Sequence, residues 1–277
     1  MNQQESFGET IKQIRKEQNM TQKMLAQGIC AQSVLSRIEN GLEIPNVLVL
    51  QSLCQRLNVT MEQILHSESE EIQRVKALFS RIHSYLIHKE YQKMSELLKD
   101  KNIVDHLHFD TDFQLYYYYL GSCEFFLTKE YNQAIQSLKK GLSYTYSKDT
   151  KTISPIEILI MSCLGRVYST IHKYEKAQEY LKMSHEEINH IPEEITRFEL
   201  TKVFFNYAQF LYDTEQFSEA LTMAKEGIRW GQRRLSYYHM EELFSLCGQI
   251  YEKTNKNSEA ELCFEYAKVM KKISEMV

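Results

Sequence analysis

The chain has 277 residues; 43% of them are hydrophobic, 25% are charged, and the formal net charge is −4. This composition argues against disordered and collagen-like chains, and no uncharged apolar stretch approaches the roughly 20 residues that span a bilayer. With only 9 glycines and 3 prolines, the backbone has few of the turns and interruptions that β folds need. We therefore expect an all-α protein.

Nothing in the sequence predicts an enzyme, a cofactor or a metal site. No phosphate loop, dinucleotide fingerprint or nucleophile elbow is present. His185 and His190 superficially resemble the zinc motif H-E-x-x-H, but an i, i+5 pair on a helix lies about 140° apart, so joint metal binding is not expected. The first residues lack the pattern of a secretion signal, and the six cysteines are scattered. We expect a cytoplasmic protein with reduced thiols.

The segment 1–66 contains the sequence signals of five short helices. After a first amphipathic helix, Thr21 is placed to cap the second helix, and Gly41 to end the third. Pro45 marks the boundary before the fourth helix, and Thr60-Met61-Glu62-Gln63 has the form of a capping box that opens the fifth. The polar run 67–71 that follows is either a flexible linker or the acidic first turn of the next helix.

From about residue 72 onward, one pattern recurs along the chain. In its clearest copy, Leu164-Gly165-x-x-Tyr168 is followed by Tyr174, Ala177 and Leu181. The small residues that begin the four best copies are Gly121, Gly165, Ala208 and Gly248. The copies are spaced by roughly 40 residues, somewhat more than the roughly 34 of a tetratricopeptide repeat (TPR), but their internal offsets agree.

This pattern predicts a right-handed TPR-like α-solenoid, because the small residue lets the two helices of each hairpin approach closely. One connection, Ser154-Pro155-Ile156-Glu157, has the Ser cap, N1 proline and N3 glutamate of a helix start. We expect a first domain at 1–66, a linker or the start of the first repeat helix at 67–74, and a repeat domain of about five helical hairpins at 75–277.

The second and third predicted helices form a helix-turn-helix motif, written Thr21-Gln22-Lys23-Met24-Leu25-Ala26, then a turn, then Gln32-Ser33-x-x-Ser36-Arg37-Ile38-Glu39-Asn40-Gly41. The motif resembles the Cro/repressor (XRE-type) DNA-binding family, and it implies a five-helix, lambda-repressor-like domain whose third helix enters the major groove. The residues that it implies are Gln32, Ser33 and Ser36 at base edges, Arg37 on base or backbone, and Gln22, Lys23 and Arg15 on phosphates.

A helix-turn-helix of this type followed by TPR-like repeats resembles the Rgg/PlcR group of quorum-sensing regulators, over essentially the whole chain. The resemblance implies a cytoplasmic homodimeric transcription regulator, a two-fold symmetric operator in double-stranded DNA, and a short signalling peptide bound by the repeats. Residues 1–66 carry six basic and six acidic side chains, so we expect DNA binding to depend on dimeric docking more than on net charge.

The first helix of each hairpin is expected to line the concave face, where peptides lie in such solenoids. Asn206 matches an asparagine that relatives of this group use to bind peptide backbone, and Arg166 is the expected partner of a peptide carboxylate. The predicted peptide-contacting residues are Tyr118, Ser122, Ser162, Arg166, Asn206, Gln209, Tyr212, Gln249 and Glu252.

Two alternatives stay open from the sequence alone. The first is a DNA-binding regulator whose repeats only dimerise or recruit a protein partner, without a peptide. The second is a TPR adaptor in which the repeats dock a partner and the small N-terminal domain has lost its DNA-binding role. Saturable peptide binding separates the first from our main interpretation, and sensitivity to Arg37→Ala and Gln32→Ala separates the second.

Overall fold

The computed structural model describes residues 7–65, 70–147 and 153–276. Within these ranges the chain forms helices and turns and no strand, which confirms the predicted all-α fold class. Backbone contacts divide the chain into two compact units, 1–77 and 78–277. In the described ranges, no helix combines the length and the apolar character that crossing a membrane requires. Of the predicted linker, residues 67–69 lie outside the described residues, and residues 70–74 belong to a helix.

Residues 7–65 of the first unit form five helices, which are α1 Phe7–Glu17, α2 Gln22–Ala26, α3 Gln32–Glu39, α4 Val47–Leu57 and α5 Met61–Leu65. Their predicted caps are present. The Thr21 side chain accepts a hydrogen bond from the Met24 amide at 3.2 Å. Thr60 and Gln63 exchange side-chain to backbone hydrogen bonds of 2.8 and 3.1 Å, as a capping box requires. Gly41, just past α3, adopts a φ of 69°.

The core of the first unit is built from the apolar faces of all five helices. Its fully buried side chains include Ile11, Leu25, Leu35, Ile38, Leu53, Leu57 and Ile64. Close approach of α1 to the end of α3 depends on Gly8, because a Cβ at that position would overlap the carbonyl oxygen of Ile38. The start of α1 is therefore packed directly against the backbone of α3.

The second part of the chain is a series of antiparallel helical hairpins. The hairpins are α6 Glu70–Ile87 with α7 Tyr91–Leu98, α8 Asp110–Cys123 with α9 Tyr131–Thr145, α10 Pro155–Thr170 with α11 Tyr174–Ile188, α12 Thr201–Asp213 with α13 Phe217–Arg233, and α14 Met240–Lys253 with α15 Asn257–Met276. A five-residue π turn, Glu124–Thr128, continues α8. The predicted capping box of Ser154 and Glu157 opens α10.

Each hairpin turns through one residue in the left-handed conformation at the same place. These residues are Lys89, Lys129, His172, Glu215 and Asn255, with φ between 57° and 61°. The intervals between them are 40, 43, 43 and 40 residues. The repeat length read from the sequence is therefore also the repeat length of the backbone.

The small residue of each repeat brings its two helices together, as the sequence pattern predicts. A Cβ added to Gly165 would lie 2.5 Å from Cγ of Leu181, and one added to Gly121 would lie 2.7 Å from Cγ of Leu138. Both distances are shorter than carbon atoms tolerate. Only glycine or a slightly displaced alanine, such as the fully buried Ala208, fits between the helices.

The first hairpin contacts the two last ones across the inside of the solenoid. Nε2 of His83, on α6, lies 3.0 Å from Oε1 of Glu199, just before α12. Lys89, at the tip of the first hairpin, forms an ion pair with Glu242 in the first turn of α14. These contacts join residues more than a hundred positions apart.

Candidate functional sites

The helix-turn-helix presents a row of polar side chains at the start of α3. Gln32, Ser33 and Lys23 are exposed, and Ser36 is half-buried beside them. Arg37 is also exposed and forms an ion pair with Glu43, Nε to Oε2, at 2.6 Å. The first turn of α3 and the start of α2 thus lie on one accessible surface with hydrogen-bonding groups.

A chain of side-chain hydrogen bonds ties this surface to the core. Nε2 of Gln32 donates to Oε1 of Gln22 at 2.6 Å, and Nε2 of Gln22 donates to Oε2 of Glu39 at 2.9 Å. Glu39 in turn accepts from Arg15, whose Nε and Nη2 lie 2.6 and 2.9 Å from its two oxygens. The network fixes the amide orientations of Gln22 and Gln32 relative to α1 and α3.

This arrangement contradicts the expectation that Arg15 contacts DNA. Its guanidinium points into the unit, where it also donates to the carbonyl of Met20 at 2.7 Å, and only 7% of the residue is exposed. Burial alone would raise the pKa of Glu39, but the hydrogen bonds from Arg15 and Gln22 and the charge of Arg15 outweigh it and lower that pKa. Arg15 is four residues after the core residue Ile11, so helical periodicity already places it on the buried face.

On the inner face of the repeats, α10 and α12 form a ladder of polar contacts. Nδ2 of Asn206 donates to Oγ of Ser162 at 2.9 Å, and both residues are buried. Arg166 lies one turn after Ser162, and Asp213 lies two turns after Asn206; Nη1 of Arg166 pairs with Asp213 at 3.1 Å, and Gln209 donates to the same carboxylate at 2.8 Å. Four of the predicted peptide-contacting residues therefore lie along the contact between α10 and α12, namely Ser162, Arg166, Asn206 and Gln209.

Some of the other predicted peptide-contacting residues are buried, and the rest are partly or fully exposed. Tyr118 is 3% exposed, and the fully buried Ser122 donates to the Tyr118 carbonyl in its own helix at 2.8 Å. Tyr212 and Gln249 are half-buried, whereas Glu252 is exposed at the end of α14. Tyr118 and Ser122, like Ser162 and Asn206 (1% and 2% exposed), therefore lie deeper than a groove floor open to solvent would place them.

Two buried titratable residues that the sequence analysis missed lie at the starts of α12 and α14. Lys202 is one helical turn before Asn206 on α12 and is 5% exposed, and its Nζ lies 5.0 Å from the centre of the Phe126 ring. Burial lowers the pKa of Lys202. His239, just before α14, is buried with its Nδ1 3.5 Å from Glu242, and burial lowers its pKa to about 3. In the sequence, only the four-residue spacing between Lys202 and Asn206 indicated that Lys202 lies on the same helix face as a predicted peptide-contacting residue.

Among the residues that the structure describes, His185 and His190 do not meet at a common site. In the described ranges, no three His, Cys, Asp or Glu side chains are grouped so that they could hold a metal ion. His185 instead lies 3.5 Å from Glu226, and His190 lies 3.4 Å from Glu187. The two histidines therefore face different carboxylates.

Comparisons with known proteins found one match to the N-terminal domain and others to nearly the whole chain. Residues 11–64 match the Helix-turn-helix family. No curated protein sequence matches the chain significantly. Among solved structures, PlcR from Bacillus thuringiensis in complex with the peptide PapR7 and DNA has a TM-score of 0.83 and 22% identity, over 98% of this chain and 96% of that one.

Two further structures are similar over the same length. PlcR from Bacillus thuringiensis in its apo form has a TM-score of 0.64 and 21% identity, and ComR from S. thermophilus in complex with DNA and its signalling peptide ComS has a TM-score of 0.62 and 17% identity. Each comparison covers 98% of this chain and 94% of the other. The chain therefore carries a helix-turn-helix domain at residues 11–64 and has, over nearly its whole length, the fold of PlcR.

Proposed function

We propose that the protein is a cytoplasmic, homodimeric transcription regulator that binds double-stranded DNA and is controlled by a short signalling peptide. In this proposal the domain at 1–66 reads DNA, the segment 67–74 connects it to the repeats, and the repeat domain at 75–277 binds the peptide and dimerises. It has no catalytic activity. The observation that carries the proposal is the coexistence of a tethered helix-turn-helix surface with a buried polar face inside the repeats. The PlcR and ComR structures of the same fold, solved with peptide and DNA, support it.

The DNA surface consists of Gln22, Lys23, Gln32, Ser33, Ser36 and Arg37. Gln32 is held by Gln22 with its amide at the start of α3, the position from which such a helix contacts base edges. A glutamine amide hydrogen-bonds best to adenine in the major groove. Lys23 and Gln22, at the first turn of α2, are assigned to phosphates. Arg37 exchanges its contact with Glu43 for DNA.

The peptide surface consists of the polar ladder and its surroundings. Asn206 and Ser162 supply donors and acceptors for a peptide backbone, since a carboxamide does both at once. Arg166, Gln209, Tyr212, Gln249 and Glu252 form the outer part of this surface, and Tyr118 and Ser122 its packed floor. Because Arg166 is already paired with Asp213, a peptide carboxylate has to compete for it.

Regulation follows from two-fold symmetry. A dimer binds two half-sites whose spacing matches the distance between its two helix-turn-helix domains. A peptide that binds one arrangement of the repeats better than another shifts the dimer toward the arrangement it prefers. The affinity of the dimer for DNA thereby depends on the peptide concentration.

The proposal is tested by selecting bound duplexes from a random DNA pool with the purified full-length protein, without and with peptide-containing conditioned medium. We expect enrichment of a two-fold symmetric motif with half-sites about one or two helical turns apart. Gln32→Ala should lose the preference at one position in each half-site. If neither the protein alone nor the protein with medium enriches any motif at low salt, DNA reading is excluded and the adaptor alternative stands.

A further inference from the structure

The second helix of the last hairpin, α15, carries an exposed stripe of large apolar side chains. Leu262, Tyr266 and Val269 are 47%, 45% and 48% exposed. They recur at intervals of four and three residues, so they lie on one face of the helix. Ile273, which is half-buried, continues this stripe four residues later. A contiguous apolar surface with charged residues beside it marks a place where another molecule binds.

The corresponding helices of the preceding hairpins lack such a stripe. All residues of α9 and α13 are described, and neither helix exposes a large hydrophobic side chain. In α11 the only one exposed is Tyr174, at its start. Both α9 and α13 pack against the first helix of the following hairpin, whereas α15 packs mainly on α14. The stripe is therefore a feature of α15 and does not follow from the repeat pattern.

An open groove of about 230 Å³ borders the stripe. It is lined by side chains of three helices, among them Ile228 of α13, Phe244 of α14, and Cys263 and Tyr266 of α15. Six of its eight lining residues are apolar, aromatic or cysteine. Because Tyr266 belongs to both features, apolar surface continues from the stripe toward α13, and the surface available to a partner is wider than one helix.

The charges of α15 are divided between its two halves. Between Asn257 and Glu265 the helix has three acidic and no basic side chains, and between Ala267 and Ser274 it has three basic and no acidic ones. All six are exposed. Two copies of such a helix packed antiparallel place the acidic half of each opposite the basic half of the other. The six residues are Glu259, Glu261, Glu265, Lys268, Lys271 and Lys272.

The register of the charges fits that of the stripe. Glu265 directly precedes Tyr266, and Lys272 directly precedes Ile273, so both charges flank the stripe on the same side. In an antiparallel pair of helices related by a two-fold axis, the same flank of each helix faces that of the other. The axis that places Tyr266 opposite Val269 of the partner subunit also places Glu265 opposite Lys272 of the partner subunit.

We propose that α15 is the surface through which two copies of this chain dimerise, with the two helices packed antiparallel across the two-fold axis. The partner is a second copy of the chain, because the stripe and the divided charges are complementary to themselves under this symmetry. This inference rests on the proposed function, and it assigns the surface by which the repeat domain dimerises.

The experiment measures the dimer dissociation constant of the full-length protein by sedimentation equilibrium at low salt, without DNA or peptide. Glu265→Lys and Lys272→Glu each place like charges opposite one another twice per dimer. We expect either substitution to raise the dissociation constant by about 10- to 100-fold, because two attractive pairs become repulsive.

The restoring variants test the antiparallel pairing itself. With Glu265→Lys and Lys272→Glu in one chain, opposite charges face each other again, so the dissociation constant should return close to that of the unmodified protein. An equimolar mixture of the two single variants should form heterodimers for the same reason. Mixing does not repair a folding defect, so this result separates lost pairing from misfolding. Lys271→Glu is the matched control, since Lys271 lies on the side of α15 away from the stripe, and it should leave dimerisation unchanged.

Two kinds of result overturn the inference. If the unmodified protein dimerises but the single substitutions have no effect, or the double variant and the mixture restore nothing, the dimer uses another surface or pairing and the proposed function stands. If the unmodified protein stays monomeric at every concentration, with and without DNA, this inference and the homodimeric part of the proposed function both fail. The selection from the random DNA pool then still decides separately whether the protein reads DNA.

Discussion

Arg15 and Glu39 join the end of α1 to the end of α3 through two hydrogen bonds of 2.6 and 2.9 Å, and the Glu39 side chain is fully buried. Removing one charge of such a pair leaves the other uncompensated inside the unit. We therefore expect Glu39→Gln to destabilise the helix-turn-helix domain by about 3 kcal/mol. Hydrogen–deuterium exchange of the α1 and α3 amides measures this as a loss of protection of roughly 100-fold.

Glu43→Gln is the matched control, because the Arg37–Glu43 pair has a similar length but lies at the surface. An exposed pair of this kind contributes about 1 kcal/mol or less, so protection should change little. Equal effects of the two substitutions would show that the buried pair has no special part in holding α1 to α3.

His239 predicts a loss of repeat-domain stability on mild acidification. Burial holds its folded pKa at about 3, against 6.5 for the unfolded residue, so between these values the unfolded chain binds the extra proton. The stability contributed by the neutral ring is thus complete above pH 6.5 and is lost as the pH falls toward 3. Between pH 7.5 and 5.5 we expect a loss of about 1.4 kcal/mol, measured by urea unfolding with the fluorescence of Trp230.

Two variants check the assignment of that pH dependence. His239→Asn keeps a residue that tolerates the left-handed backbone at this position, φ 60°, and removes the titration, so its unfolding free energy should change less over the same range. His190→Asn removes a histidine that is 74% exposed and should behave as the unmodified protein does. If the unfolding free energy of His239→Asn falls with pH as steeply as that of the unmodified protein, the acid sensitivity belongs to another group.

The sequence was sufficient for features that repeat or that depend on near neighbours. The hairpins follow from the recurring small residues, since Gly165 and Leu181 are separated by one hairpin turn, and the caps at Thr21 and Ser154 are local. The contacts of Glu242 with Lys89 and His239 were not predictable in this way. Lys89 and Glu242 are 153 residues apart, and they meet only because the solenoid coils back on itself. Ion pairs of this kind depend on the superhelical path of the repeats, so no regular spacing in the sequence predicts them.

The hydrogen bond between Gln22 and Gln32 separates two kinds of DNA contact. Gln32→Ala removes the proposed base-reading amide, so we expect a loss of about 1–3 kcal/mol together with relaxed preference at one position of each half-site. Gln22→Ala removes a proposed phosphate contact and the tether of Gln32, so it should weaken binding to all sequences. Fluorescence anisotropy with the selected operator and its single-base variants distinguishes these outcomes.

Gln55→Ala, at an exposed position on α4, serves as the control for the DNA measurements and should leave affinity and preference unchanged. A uniform loss of affinity for every sequence in Gln32→Ala would contradict base reading by Gln32 and would reassign it to backbone contact.

The contact of Gly165 with Leu181 allows a direct test of hairpin packing. A methyl group at Gly165 would lie 2.5 Å from Cγ of the fully buried Leu181, so we expect Gly165→Ala to destabilise the repeat domain by about 1–3 kcal/mol despite the better helix propensity of alanine. Leu181→Ala alone should cost about 2–5 kcal/mol through the cavity it leaves. In the double variant the new methyl group occupies part of that cavity, so the two costs should sum to more than the observed loss. Strictly additive losses would place Gly165 and Leu181 out of contact.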